Sequence, residues 1–183
     1  MRSAVFVLAC TLAPGQTPDP SPVATPAPSA AAPEALSPDA MRSRERNILI
    51  SVSTILHAQK TYAADNGGFF DEVRCLMRPT ECRPSLPADT LPFLDSTYNW
   101  LEPRLGYTRT FHAGPKPSPE EIQKAGASAS SLKAFAYTAA PVQPGVTGTR
   151  AFCGDSSGRI CFTPDGREPP VKDGRCEPCK KME

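Results

Sequence analysis

The sequence predicts an α+β fold in which one long N-terminal α-helix packs on a small antiparallel β-sheet, with disulfide-stapled loops. Three observations lead to it. Apolar residues recur at helical spacing from residue 38 to 65, short β-rich runs separated by turn residues follow from 106 to 163, and six cysteines fall in three close couples. The 183 residues include 22 Pro and 7 Cys, with 20 basic against 19 acidic side chains. A formal net charge of +1 leaves no clustered basic excess to hold a nucleic acid. No apolar run approaches the roughly 20 residues that cross a bilayer as a helix.

The chain opens with Met1, Arg2 and Ser3, followed by an apolar stretch from Ala4 to Ala13 that Pro14 and Gly15 end. One positive charge before a short apolar region has the shape of a secretory signal, so residues 1–13 are read as a signal peptide or lipoprotein signal. Val7, Leu8 and Ala9 before Cys10 resemble a bacterial lipobox, which makes Cys10 the candidate for lipidation. Cleavage after Gly15 and a cytoplasmic protein with an apolar start are the competing readings. Eight of the prolines lie between Thr11 and Ala40, among alanines, serines and threonines with hardly a charge. Residues 14–37 therefore read as an extended Pro/Ala-rich linker, because they carry too little apolar surface to offset the entropy of ordering. Residues 38–183 make one domain.

Ser37, Pro38 and Asp39 form a helix start: an N-cap hydroxyl, a proline at the first helical position and an acid in the first turn. Ile48, Val52, Ile55 and Tyr62 then form one apolar line, with Leu49, Leu56 and Ala63 beside it. Asn66, Gly67 and Gly68 end the helix, since glycine accepts the left-handed conformation at low cost. Strands are expected at 106–112, 133–139, 147–153 and 159–163, the last two joined by a hairpin turn over Gly154, Asp155, Ser156, Ser157 and Gly158. Segments 73–104 and 113–131 read as loops with short helical turns, and Leu91, Phe93, Leu94, Trp100 and Leu101 are expected to plug the edge of the core. After Pro164 the chain is polar and Pro-rich.

Setting Cys10 aside leaves Cys75, Cys82, Cys153, Cys161, Cys176 and Cys179, an even count that reads as a disulfide framework in an exported domain. Fifteen pairings exist on paper. The simplest joins each close couple: Cys75 with Cys82, Cys153 with Cys161, and Cys176 with Cys179.

The residues that could carry chemistry have plainer readings. Gly154 to Gly158 invites comparison with the nucleophile signature of trypsin-like proteases, but a triad needs a positioned His and an Asp behind it. The histidines are His57, expected mid-helix, and His112, expected on a strand. A Gly/Asp/Ser turn explains the same residues. Cys176 and Cys179 have the spacing of a redox dithiol or half a zinc site, yet redox motifs of this type open a helix and here only four residues follow. Asp155, Asp165 and Asp173 do not have calcium-loop spacing. The expectation is a non-enzymatic domain with no catalytic, cofactor or metal residues.

The order of elements, and three stretches of residues, resemble the globular domain of type IV pilins and type II secretion pseudopilins. Within the run from Ile50 to Phe69, Ile55, Ala58, Gln59, Thr61, Tyr62, Gly67 and Gly68 look like the exposed half of a pilin helix. Residues 106–111 resemble its first strand. Ala139, Pro141, Pro144, Gly145, Thr147, Gly148, Arg150 and Phe152, then Asp155, Gly158 and Ile160, resemble its sheet core. The resemblance spans about residues 45–163 and implies a structural or binding accessory of a secretion or pilus system. It implies a protein partner in the cell envelope, while the near-neutral charge gives no reason to expect a nucleic acid, and the signal-like start with the paired cysteines points to a periplasmic, outer-membrane-tethered or extracellular location. Pilins carry an apolar helix half of about 20 residues where this chain has its Pro-rich linker, and proline excludes a continuous helix there. The alternatives are a true minor pilin or pseudopilin whose start lies upstream, and a secreted metal-binding or enzymatic module. Binding surfaces are expected on the loops at 71–90, 113–131 and 164–183.

Overall fold

A computed structural model describes residues 36–98 and 103–182. Cys10, the signal region, all but the last two linker residues, Trp100 and Leu101 lie outside these, so the expectations placed on them are not addressed by the structure.

Helix α1 runs Pro38–Asp65 for 28 residues, with the boundaries its caps predict. The Ser37 hydroxyl accepts a hydrogen bond from the Ala40 N–H (3.3 Å), and Ser37 itself is extended, with ψ of 152°. At the other end Gly67 takes φ of +64°, and the Gly68 N–H reaches back to the Ala63 carbonyl (2.8 Å), closing the last turn in a Schellman arrangement. The inward stripe is buried as expected, through Ile48, Val52, Ile55, Ala58 and Tyr62.

Among the described residues seven strands follow: β1 (Tyr107–Ala113), β2 (Phe135–Pro141), β3 (Ala151–Asp155), β4 (Ile160–Thr163), β5 (Val171–Lys172), β6 (Arg175–Cys176) and β7 (Lys180–Lys181). The main sheet is antiparallel with order β1-β2-β3-β4-β7, and β5 with β6 form a separate two-stranded ribbon. The alternation of strand side chains gives the sheet two faces. Phe135, Tyr137 and Ala139 of β2 and Phe152 of β3 share the inner face with the core beneath α1. Ala136, Thr138, Cys153, Asp155 and Cys161 share the outer face. The helix comes close enough at Gly154 that a Cβ there would meet Val52 Cγ1 at 2.8 Å and Leu56 Cδ1 at 2.9 Å. Glycine at that position is what lets α1 lie on the sheet.

The segment 164–182 crosses the outer face and closes it. Both faces of β2 and β3 are therefore covered, which is why these strands are buried along almost their whole length and do not alternate. Two disulfides hold this strap, Cys153–Cys176 and Cys161–Cys179, with Cα separations of 6.1 and 5.6 Å. Cys75–Cys82 staples the loop that carries α2 (Val73–Met77) and α3 (Pro79–Cys82), as expected. The pairing of Cys153 with Cys161 and of Cys176 with Cys179 is corrected. Cys153 and Cys161 are direct cross-strand partners on one face, so both side chains rise off the sheet toward what lies above it. The Asp155 carboxylate accepts the Cys176 N–H (3.1 Å), and the Arg159 guanidinium donates to the Cys176 carbonyl; together they hold Cys176 over Cys153. Cys176 belongs to β6 while Cys179 leads into β7, so these two meet different neighbours.

Other differences are local. The stretch 147–150, expected in a strand, is a loop pinned to α1, and the strand starts at Ala151. Leu94 is buried and Phe93 packs on the core, but Leu91 is 81% exposed and plugs nothing. The strands of the strap carry no sequence signal because each has only two residues.

Candidate functional site

Two buried polar nodes fix the loops around α1. At its C-terminal half, Gln59 brackets Asp71, donating to the Asp71 carbonyl (2.5 Å) and accepting from the Asp71 N–H (3.1 Å). The Tyr62 hydroxyl donates to the Asp71 carboxylate (2.9 Å), and so does the Ser128 hydroxyl. Asn66 joins the same node through Ser131 (2.9 Å) and the Ser128 N–H (2.9 Å). Burial first, then the adjacent Asp71 charge, pushes the Tyr62 phenol above its ordinary range. Every polar group of this fully buried cluster is matched, so it acts as architecture that ties the 66–72 and 126–132 loops together.

At the N-terminal half Glu45, only 3% exposed, accepts from the Thr149 N–H (2.8 Å) and hydroxyl (2.6 Å) and from the Arg150 N–H (3.0 Å), and pairs with the Arg150 guanidinium (2.7 Å). Burial alone raises a carboxyl pKa. Here the hydrogen bonds from Thr149 and Arg150 outweigh it and hold Glu45 below its ordinary value.

The turn at 154–158 is a hairpin turn. The Gly158 N–H donates to the Asp155 carbonyl (2.8 Å), the Ser157 N–H donates to the Asp155 carboxylate (2.9 Å), and Gly158 has φ of +80°. His57 is exposed on α1, and His112 lies on the outer face beside Thr138 (2.8 Å) and Glu168 (3.4 Å). Neither lines the surface around Ser156 and Ser157. Among the described residues, no group of three or more His, Cys, Asp and Glu converges to hold a metal ion.

One pocket, of about 250 Å³, lies where the last turns of α1 face the β3–β4 turn. Leu56, Phe70 and Phe135 form its apolar wall, the two rings edge to face with centroids 5.0 Å apart. Lys60 stands on its rim and Ser156, Ser157 and Gly158 form the opposite side. A second, shallower pocket of about 330 Å³ joins the two loops expected to bind, between Glu72, Arg74 and Glu81 on one side and Lys116, Ala129 and Ser130 on the other. The third expected loop, 164–183, is given over to closing the sheet through its described part.

Comparison of the chain with protein-family models, with curated proteins and with solved structures gives no match. The first pocket escaped sequence reading because its parts are distant in the chain. Leu56 reads there as part of the apolar side of the helix and Ser156 and Ser157 as turn residues, while Lys60 and Phe70 belong to no motif. No spacing rule links them.

Proposed function

We propose that this chain is an exported, non-enzymatic, pilin-like domain that serves a secretion or pilus system of the cell envelope as a structural or binding accessory. The observation that carries the reading is the layout: a long capped helix across an antiparallel sheet whose outer face is sealed by two disulfides. Three disulfides in one small domain fit an oxidising compartment, hence a periplasmic, outer-membrane-tethered or extracellular location. No helix among the described residues is long and apolar enough to cross a membrane. The Pro/Ala-rich linker, with Cys10 as a lipid attachment point, then provides the tether.

The cap of α1 favours an accessory over a filament subunit. Ser37 is extended and Pro38 occupies the first turn, so α1 has a built beginning and does not continue an apolar helix preceding it. Fractionation of cells producing the full chain, with thiol alkylation before and after reduction, tests the reading together with the secretion and pilus phenotypes of a deletion strain. The expected result is an envelope or extracellular protein with all six domain cysteines oxidised and a deletion strain impaired in secretion or piliation. Recovery in the cytoplasm with free thiols, or a deletion without either defect, overturns it.

A further inference from the structure

The pocket between α1 and the β3–β4 turn has an asymmetry of chemistry that the fold does not need. Its wall of Leu56, Phe70 and Phe135 is apolar, and the fully buried Phe135 also stacks on Phe111 at 5.7 Å, so the wall is held from behind. Its volume of about 250 Å³ exceeds the roughly 150 Å³ in which an apolar cavity takes up benzene. A phenyl-sized group therefore fits with room for a polar head.

Asp155 apart, the polar side chains around the pocket are positive or able to donate. Lys60 is exposed on the rim and forms no ion pair. The Ser156 hydroxyl is buried and has no hydrogen-bond partner, while the Ser156 N–H is already given to the Phe135 carbonyl (2.9 Å). A buried hydroxyl left unmatched is costly, so an acceptor arriving at this wall is favoured. Asp155 also borders the pocket, but strand alternation puts its carboxylate on the outer face with Cys153. There it is occupied by Ser157, Arg159 and the Cys176 N–H. The charge that faces a ligand is thus that of Lys60.

We infer that this pocket binds an apolar monocarboxylate, its hydrocarbon group on Leu56, Phe70 and Phe135 and its carboxylate between the Lys60 ammonium and the Ser156 hydroxyl. This stands apart from the export reading and does not depend on it. Two sources share the chemistry: a free carboxylic acid, and the C-terminal residue of another polypeptide.

Titration of the full chain, followed by ¹H–¹⁵N NMR, distinguishes them. The probes are 3-phenylpropanoate, its amide, the tripeptide acetyl-Gly-Gly-Phe with a free carboxylate, and the same peptide amidated. Both acids are expected to give saturable shifts at residues 56–60, Phe70 and 156–158, with dissociation constants on the order of 1 mM, and each amide to bind about tenfold more weakly. Lys60→Gln, at an exposed position, is expected to remove that difference, and Ser156→Ala to weaken the acids several-fold. Tighter binding of the peptide identifies a chain terminus as the source; tighter binding of 3-phenylpropanoate identifies a free acid. No saturable shift at these residues, equal binding of acid and amide, or an unchanged acid preference in Lys60→Gln overturns the inference.

Discussion

On its inner face the sheet lies under a 28-residue helix that interdigitates with Phe135, Tyr137 and Phe152. On its outer face it lies under a strap, residues 164–182, whose strands are two residues each. The helix covers its face with apolar side chains, and burial at about 25 cal/mol per Å² is enough to hold it there. The strap buries little apolar surface, from Pro169, Val171, Met182 and its own cysteines. It is held instead by two disulfides, by the Thr138 hydroxyl donating to Glu168, and by the Asp155 contact to Cys176. One layer is stabilised by area and the other by cross-links.

The largest effect expected is on the helix side. Phe152→Ala removes a fully buried ring between α1 and the sheet and should cost about 4 kcal/mol, read as a lower denaturation midpoint with faster amide exchange throughout the domain. Next is the strap. The double variant Cys153→Ala/Cys176→Ala opens a loop of 23 residues and should cost about 3 kcal/mol on the loop-closure estimate. Its hydrogen exchange should rise across 164–182 while α1 stays protected. If α1 exchanges just as fast, the two layers are not separate closures and the contrast fails.

A smaller effect comes from the tie between α1 and the loop before β3. Glu45→Gln keeps the shape but loses the charge facing Arg150, and should cost about 2 kcal/mol at neutral pH. The sign of its pH dependence follows from the lowered pKa of the folded carboxyl. Its contribution is complete above the ordinary glutamate value of 4.5 and is lost as pH falls through the folded pKa, so the wild-type advantage over Glu45→Gln should shrink in acid. Thermal unfolding of both chains from neutral pH down to about pH 3 measures this. The smallest is Ser37→Ala, about 1 kcal/mol from the lost N-cap, read from the denaturation midpoint.

The same contrast explains what was legible in the sequence. Helix α1 was readable to the residue because its stripe, its Ser-Pro start and its glycine stop are local signals. Strands β1 to β4 are legible within a few residues through their β-forming side chains and the Gly-rich turn, although 147–150 are not, because Glu45, about a hundred positions away, holds them as a loop. The strap was not readable. Its position depends on the Asp155 and Glu168 contacts across the outer face, which leave no periodicity, so nearness in the chain does not predict the partners of the four late cysteines. The pocket was invisible for a related reason, since its apolar wall combines three residues from three separate segments.

The order in which those cysteines are synthesised bears on how the protein matures. A chain threaded out from its N-terminus presents Cys153 and Cys161 before Cys176 and Cys179, and an oxidant acting in that order joins the first two to each other. The finished protein instead has interlaced bonds, Cys153 to Cys176 and Cys161 to Cys179. Thiol–disulfide exchange must then undo the early bond, by attack of a later thiolate on it. Where oxidation runs in that order, the Cys176 or Cys179 thiolate makes the attack, and a disulfide isomerase in the folding compartment speeds the latching of the strap.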